Sequence, residues 1–369
     1  MLEDGVYLMS HSLGPQPRAV RESMGDYLGR WQASLAKNAW KYDWWPLARR
    51  AGDLVARILG APPGTVEMQP SATVAVAVVA SCFDFARGPR RKVVTTALDF
   101  PSMGYVWDAQ RRLGAEVLVV PSDDGVHVSM DRLLAAIDEE TCLVAVSHVS
   151  YRSSFRVDAA ALVAAAHEKG AHVLLDVYQS AGAMPLDAAR LGVDFLVGGT
   201  IKWLCGGPAS GYLYVRRDLI ERLEPRLTGW IAHAEPFDFL YDAMEYDDSI
   251  RRFAHGTPNV PGLYSALPGL EILAQLDHGE VRAESLRRTD WMVEQARERG
   301  WRLTCPLAGE RRGGAVMIDL PEPKRLVAEL ERRRIAVDER PGVGLRISPH
   351  FFNTDAEVAE ALEALAELV

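Results

Sequence analysis

Short apolar runs alternate with amphipathic stretches through the first two thirds of the chain. Most of the runs are rich in β-branched residues and lack polar alternation, which is typical of strands covered on both faces. The pattern predicts strands at Lys92–Thr96, Glu116–Val120, Leu143–Val149, His172–Val177, Phe195–Val197 and Gly211–Val215. Helical periodicity between them predicts helices such as Tyr105–Leu113, Met130–Ile137 and Ala159–Lys169. The alternation predicts an α/β fold with a mostly parallel sheet.

The pattern changes near residue 256. A long helical stretch precedes two strands and a last amphipathic helix, at Pro261–Arg299, Ala315–Leu320, Leu345–Ser348 and Asp355–Val369. We therefore expect an N-terminal arm (1–15), a large domain (16–255) and a smaller α+β C-terminal domain (256–369). Two N-terminal helices, predicted at Pro17–Ser34 and Trp45–Leu59, can pack with either domain.

Composition narrows the class of protein. The 369 residues are 48% hydrophobic and 25% charged, which is ordinary for a globular protein. The formal net charge of −9 gives an acidic surface that repels phosphate backbones, so we expect no nucleic-acid partner. Short basic runs such as Arg332-Arg333-Arg334 are more typical of a solvated helix face than of a binding patch.

Cysteine usage and hydropathy indicate in which cellular compartment the protein is expected. The four cysteines are scattered without a Cys-x-x-Cys pair, so neither a metal site nor a disulfide framework is predicted. A reducing cytoplasm fits this usage. The first residues, Met1-Leu2-Glu3-Asp4, are acidic and unlike a signal peptide, and no apolar run approaches the roughly 20 residues of a membrane helix. We expect a cytoplasmic protein without a membrane partner.

Two charged residues lie where ligands bind in parallel sheets, just beyond the strand ends. Asp176 ends one predicted buried strand, and Lys202 follows the next. A partly desolvated lysine can lose its proton and attack a carbonyl. A carboxylate beside a pyridine nitrogen keeps it protonated, as pyridoxal 5′-phosphate (PLP) needs for its role as electron sink. Alone, each residue is more typical of a surface lysine or a capping aspartate; together, among glycines that admit a flat ligand, they predict a PLP Schiff base at Lys202.

The segment from Leu174 to Pro208 resembles the PLP-lysine region of the class V aminotransferase family, within fold type I PLP enzymes. The resemblance runs through nearly the whole chain and is closest in appearance to kynureninase, with features of desulfurases and epimerase-like members around the lysine. The other matching pieces, in chain order, are Tyr7-Leu8 with Ser12-Leu13-Gly14-Pro15, Asp99-Phe100-Pro101-Ser102, Thr228-Gly229-Trp230 with His233, and Gly344-Leu345-Arg346-Ile347-Ser348-Pro349.

The resemblance implies a role for each matching residue. Lys202 would be the catalytic residue that carries PLP, and Asp176 would pair with the pyridine nitrogen. The other cofactor-binding residues it implies are Ala72 and Thr73 at the phosphate, Phe100 stacked on the ring, Ser147 and Gln179 at ring oxygens, and Thr200 in the lysine loop. Taken alone, Thr73 is more typical of a helix cap, and Phe100 of a core residue.

Three further roles concern the substrate and a second subunit. Arg346 would clamp the substrate carboxylate in a bidentate fork, the alternative being a surface ion pair. Trp230 and Thr257 would reach the phosphate of the neighbouring subunit's cofactor, which implies a homodimer with shared active sites. The cluster of Trp40, Trp44 and Trp45 is placed either at the substrate mouth or in a hydrophobic contact with the core or the partner.

Several positions depart from the relatives. Ile201, Gln179 and Met103 stand where kynureninase has tyrosine, histidine and aspartate. The stretch Val337–Leu345 lacks the mobile cysteine that desulfurases need. We expect kynureninase-like Cβ bond cleavage of an α-amino acid through an external aldimine, as a lyase or hydrolase. The alternatives are transamination to a 2-oxo acid, and PLP binding without turnover.

Overall fold

The computed structural model describes residues 5–33, 38–241 and 244–369. The acidic start at residues 1–4 and the expected helix end at Ser34 lie outside the described residues. The strands are β1 (Val6–Tyr7), β2 (Val66–Gln69), β3 (Lys92–Thr96), β4 (Glu116–Val120), β5 (Thr141–Ser147), β6 (His172–Asp176), β7 (Phe195–Gly199), β8 (Gly211–Val215), β9 (Arg302–Leu303), β10 (Val316–Asp319), β11 (Ile335–Ala336), β12 (Asp338–Arg340) and β13 (Gly344–Ile347).

The α-helices lie mostly between the strands. They are α1 (Val20–Ala33), α2 (Trp45–Ile58), α3 (Ala72–Ser81), α4 (Pro101–Gln110), α5 (Met130–Ala135), α6 (Ala159–Glu168), α7 (Ala188–Leu191), α8 (Arg217–Ile220), α9 (Val260–Leu273), α10 (His278–Glu298), α11 (Pro323–Arg332) and α12 (Asp355–Ala366). A π-helical segment, Ala39–Trp44, precedes α2. None of the helices in the described ranges is both long and apolar enough to span a membrane.

Seven strands form the large sheet, in the order β2-β8-β7-β6-β5-β3-β4. The pairs from β4 to β7 are parallel, whereas β8 is antiparallel to both of its neighbours. Adjacent side chains of one strand point to opposite faces, so Leu174 and Leu175 enter separate apolar cores on the two sides of the sheet. The expected α/β fold with a mostly parallel sheet is therefore confirmed.

The expectation that apolar strands are covered on both faces is wrong for β4. This strand lies at the sheet edge, and its Leu118 and Val119 side chains are 43% and 46% exposed. β-Branched and apolar residues fit a pleated strand wherever it lies, so composition does not distinguish an edge strand from a central one.

Several predicted boundaries shift. The stretch Pro261–Arg299 is two helices, α9 and α10, because Asp277 caps the second by accepting hydrogen bonds from the amides of Gly279 and Glu280. The helix predicted from Tyr105 already begins at Pro101, whose fixed φ suits a first helical turn.

The C-terminal part has its own sheet and its own core. Strands β12-β13-β10-β9 form an antiparallel sheet, packed with α10, α11 and α12 around a third apolar cluster. The short strands β1, β2, β9, β11 and β12 went unpredicted because two to four residues carry little periodicity. The exact domain limits at residues 15 and 255 stay a prediction.

The N-terminal arm connects this C-terminal part to the lysine loop. β1 pairs in parallel with β11, and the Ser348 amide donates to the Leu8 carbonyl. Further along, the Gly14 amide donates to the Ile201 carbonyl at 2.6 Å. A Cβ atom on Gly14 would lie 2.1 Å from the Lys202 carbonyl oxygen, so glycine is required for this close approach. The arm thus reaches the residue on which the sequence prediction centres.

Candidate active site

A cavity of about 240 Å³ opens at the carboxyl ends of the parallel strands, where side chains from different strands converge. Seven residues that the sequence assigned to the cofactor site line it together: Ala72, Thr73, Phe100, Ser147, Asp176, Gln179 and Lys202. Its remaining wall includes Met103, Val149, Tyr151 and Tyr178. The sequence therefore predicted the core of one site, although the residues come from five separate stretches of chain.

The Lys202 amine is partly buried against two aromatic rings. Its Nζ atom lies 4.4 Å from the centre of the Tyr178 ring and 5.6 Å from that of Phe100. Burial lowers the pKa of Lys202 to about 8, with nearby Arg346 acting in the same direction and Asp176 opposing it. About a tenth of this amine is therefore unprotonated, and nucleophilic, at pH 7, and this fraction rises with pH.

Asp176 ends β6 and is 7% exposed. Its Oδ1 accepts a hydrogen bond from the Tyr178 amide at 2.8 Å, which fixes the carboxylate at the base of the cavity. Burial raises the pKa of Asp176 to about 6, an effect that the Tyr178 amide and Lys202 partly offset. The group remains mostly ionised at pH 7 and can hold a proton on a neighbouring ring nitrogen.

Asp99 fixes the loop that carries Phe100. Its carboxylate accepts hydrogen bonds from the Thr95 hydroxyl at 2.7 Å, the Thr96 amide at 2.8 Å and the Ser147 amide at 2.6 Å. These bonds join the ends of β3 and β5. Phe100 is 42% exposed and meets Tyr151 edge to face, so the reading of Phe100 as a core residue is wrong.

The N-terminus of α3 forms another wall of the cavity. Ser71 caps this helix by accepting a hydrogen bond from the Val74 amide, so the reading of Thr73 as the cap is wrong. Ala72 and Thr73 lie in the first turn, where helix amides have no intrahelical acceptor and favour an anion. Behind them lies Gly211, where a Cβ atom would come within 2.5 Å of the Ser71 backbone.

Two predicted cofactor residues have side chains engaged elsewhere. Gln179 donates from Nε2 to the His11 carbonyl at 2.9 Å and accepts at Oε1 from Trp203 at 2.8 Å. The Thr200 hydroxyl faces the carbonyls of Gly207 and Ser210 at 3.2 Å and does not line the cavity. Through these hydrogen bonds both side chains stabilise the lysine loop.

Arg346 is 2% exposed and lies outside the lining of the cavity. Its Nε and Nη2 atoms donate to the two oxygens of Asp338 at 2.8 and 2.5 Å, and Nη1 donates to the Tyr151 carbonyl at 3.0 Å. Arg346 therefore forms an ion pair, as the alternative predicted, but the prediction of a surface location is wrong because the pair is buried. The bidentate edge expected to face a substrate carboxylate is occupied by Asp338.

Trp230 and Thr257 lie apart from the Lys202 cavity. Thr257 lines a second cavity of about 400 Å³, while Trp230 packs against Trp45 and Phe239 with ring centres 6.1 and 6.0 Å away. Their expected role at the cofactor of a second subunit stays a prediction. The tryptophan cluster also makes aromatic contacts, with Trp40 and Trp44 edge to face at 5.4 Å.

Sequence reasoning missed several residues of the site. Tyr178 lies two residues after Asp176, in the segment that carried the prediction, and its position after the strand end was a usable signal. His11 lies inside the N-terminal arm, between Tyr7-Leu8 and Ser12-Leu13-Gly14-Pro15, the two segments that carry the resemblance. Asp338 and Arg340 fall in the stretch Val337–Leu345, which lacks the desulfurase cysteine, and nothing in the local sequence indicates that Asp338 pairs with both Arg340 and Arg346.

Known proteins resemble this chain over its full length. The family model described as aminotransferase class-V matches residues 6–358. An uncharacterized aminotransferase of Bacillus subtilis (strain 168), YcbU, is 33% identical over 311 residues, covering 84% of this chain and 81% of its own. The kynureninase of Pseudomonas fluorescens is 29% identical over 378 residues, covering 100% of this chain and 90% of its own.

Solved structures share the fold. The apo cysteine desulfurase of Thermococcus onnurineus NA1 has a TM-score of 0.86 at 22% identity, over 99% of this chain and 95% of that one. The cystine C-S lyase C-DES, in complex with its product cysteine persulfide, has a TM-score of 0.86 at 21% identity, over 99% of this chain and 98% of that one. At these identities the likeness shows the fold alone, and it confirms the fold type I architecture.

The geometry of the cavity and the family match concern the same residues. The lysine, the carboxylate and the helix N-terminus line one cavity, and the family model covers all three. The expectations of an enzyme and of PLP as its cofactor are confirmed by that match, and the role of each side chain stays a prediction. The chain belongs to the class-V aminotransferase family of PLP-dependent enzymes.

Proposed function

We propose that this enzyme cleaves a bond at Cβ of an α-amino acid, in the manner of kynureninase. The observation that carries the proposal is the Lys202–Asp176 pair in one cavity, in a chain that aligns with kynureninases from end to end. Family membership alone supports the coarser statement, a PLP-dependent enzyme of class V.

The residues of the cavity fit PLP by the chemistry of their groups. Lys202 offers an amine of lowered pKa for covalent attachment, and Asp176 offers a carboxylate for the ring nitrogen. The amides of Ala72 and Thr73 suit the phosphate, and Phe100 offers a ring for stacking. When bound, PLP withdraws electrons from the substrate's Cα and so weakens the bonds around that carbon.

The chain's own groups then have separate tasks. Lys202 Nζ, once freed by the incoming amine, is the base that takes a proton at Cα and returns it later. Arg346 fixes the orientation of the substrate by its carboxylate. Met103 and Val149, both 3% exposed, make the cavity wall apolar and exclude water beside the reacting atoms.

Transamination is the second candidate, and a specific observation supports it. The relative named as an aminotransferase is 33% identical, slightly more than the kynureninases, although over less of the chain. Ile201 also replaces the tyrosine of kynureninase with a side chain that neither donates a hydrogen bond nor carries a proton. Binding of PLP without turnover is the weakest candidate, because Lys202, Asp176 and Arg346 are all present.

Product analysis distinguishes the two reactions. The PLP-loaded protein is incubated with L-kynurenine and with a panel of L-amino acids. Cβ cleavage predicts catalytic release of L-alanine or pyruvate, whereas transamination predicts stoichiometric pyridoxamine phosphate and a 2-oxo acid. Lys202→Ala serves as the control that abolishes either reaction. Stoichiometric pyridoxamine phosphate without release of alanine or pyruvate would replace the Cβ proposal by transamination.

We also propose a homodimer with shared active sites. Its support is a row of exposed apolar residues beside Trp230, which is itself 36% exposed, including Phe237 at 52% and Phe239 at 73%. Light scattering after size exclusion measures the mass, for which a dimer is expected. The cytoplasmic location stays a prediction from cysteine usage.

A further inference from the structure

Asp338 of β12 is the common partner of three side chains from different parts of the chain. Its Oδ1 meets Arg346 Nε at 2.8 Å and His11 Nε2 at 2.8 Å. Its Oδ2 meets Arg346 Nη2 at 2.5 Å and Arg340 Nη2 at 3.3 Å. The two guanidinium groups therefore converge on one carboxylate oxygen.

His11 belongs to the N-terminal arm and is held in place by residues outside the arm. The residue is 2% exposed, its Nδ1 lies 2.6 Å from the Ser348 hydroxyl, and its carbonyl accepts from Gln179. Burial lowers the pKa of His11 to about 4, so the ring is neutral at pH 7. Because a carboxylate only accepts, the single ring proton lies on Nε2 and is donated to Asp338, while Nδ1 accepts from Ser348.

The charges of this cluster do not cancel. Two guanidinium groups face one carboxylate and a neutral imidazole, which leaves one net positive charge. Arg346 uses one N–H on each of its three nitrogens, so two of its five N–H groups remain for a ligand. Arg340 has a side chain 42% exposed and makes one further bond, to the Glu339 carbonyl. A ligand carboxylate would neutralise the cluster and satisfy these donors.

The cluster lies within electrostatic reach of the reacting amine. Arg346 and Arg340 both lower the pKa of Lys202, and Asp338 raises it. The Tyr151 backbone accepts from Arg346, and Tyr151 itself lines the cofactor cavity. Tyr151 thus connects Arg346 to the wall of the cavity that holds Lys202.

We propose that Asp338, held by His11, is the positioning residue that joins Arg346 and Arg340 into a two-guanidinium receptor for the substrate carboxylate. The proposal rests on the function proposed above, because it assigns the receptor to an amino-acid substrate. In this arrangement the carboxylate is received by the free N–H groups of both arginines. The bidentate edge of Arg346 remains with Asp338.

The test compares two amines that differ in their carboxylate alone. L-Alanine and L-alaninamide are titrated into the PLP-loaded protein, and the shift of the visible cofactor band gives an apparent Kd for each. The Kd of L-alaninamide divided by the Kd of L-alanine measures how much the carboxylate contributes to binding. Comparing ratios between variants cancels the different basicities of the two amines. The variants are Asp338→Asn, Arg340→Gln, His11→Ala and His11→Gln. The control is Asp319→Asn, which breaks an ion pair with Arg302 on the same sheet.

The proposal predicts that the wild-type protein binds L-alanine about tenfold or more tightly than L-alaninamide. Asp338→Asn, Arg340→Gln and His11→Ala reduce this ratio about fivefold or more by weakening L-alanine alone, since each loses one charge-assisted contact or its support. His11→Gln retains a donor and restores most of the ratio, and Asp319→Asn leaves it unchanged.

A normal cofactor band with an unchanged ratio in Asp338→Asn or Arg340→Gln overturns the proposal, as does a wild-type ratio near one. A purely structural cluster would instead lower the melting temperature of the variants without changing the ratio. Arg340 is partly exposed, so the Arg340→Gln variant should fold. Its ratio therefore tests the proposal even if Asp338→Asn does not fold. Absence of the band in the wild-type protein would instead refute the proposed function, and this inference with it.

Discussion

Replacing Lys202 by methionine should stabilise the cofactor-free protein at pH 7. The pKa of Lys202 falls from 10.5 to about 8 on folding, chiefly through burial. The folded chain therefore binds fewer protons at this residue than the unfolded chain between those pH values. The free energy of unfolding rises with pH across this window, and the full cost of the buried charge applies below it.

The size of the effect follows from that difference. At about 1.4 kcal/mol per pKa unit, the cost at pH 7 is about 3 kcal/mol, which is an upper limit because Lys202 is partly exposed. Methionine keeps a similar unbranched stem without the charge. The variant should gain up to this amount at pH 7, and the gain should shrink as the pH approaches 10.

Urea unfolding of the apoprotein at several pH values measures the difference. Lys324→Met, at an exposed position on α11, is the matched control and should show no comparable gain. A Lys202→Met variant less stable than the wild type at pH 7, or a gain that does not decline with pH, would refute the account of a desolvated lysine.

Further predictions concern the cofactor site and the arm. Asp176→Asn should weaken PLP binding about tenfold or more, measured by titration of the apoprotein, because the ring nitrogen loses its charged partner; unchanged affinity would exclude that pairing. Gly211→Ala should displace the start of α3, since its Cβ would lie 2.5 Å from Ser71, and should weaken binding of PLP more than of pyridoxal; an equal loss for both would argue against a phosphate site there. Gly14→Ala should destabilise the protein by about 1–3 kcal/mol, as overpacking does, in thermal unfolding; an unchanged melting temperature would show that the arm yields freely.

Sequence reasoning could predict the features that follow from a residue pattern repeated along a strand or helix. The continuous apolar runs of β5, β6 and β7 indicated central parallel strands, and their ends indicated where Ser147, Asp176 and Lys202 would meet. The lysine and its carboxylate were predictable because chemistry restricts which residues can occupy such positions.

Contacts between distant segments could not be predicted. His11 and Asp338 are separated by 327 positions, and their contact depends on how the arm crosses the C-terminal sheet. Likewise, the exposure of β4 depends on strand order, which a single strand does not encode. The ion pair between Arg346 and Asp338 could not be predicted for the same reason, since Asp338 becomes a neighbour of Arg346 only when β12 and β13 pair.

The central claim, that Lys202 carries the cofactor, is tested most directly by covalent trapping. The PLP-loaded protein is reduced with borohydride, digested, and analysed by mass spectrometry. The account predicts loss of the visible band and a stable pyridoxyl adduct on the peptide containing Lys202, neither of which Lys202→Ala should give. An adduct on a different lysine, or the absence of any visible band in the wild-type protein given PLP, would contradict it.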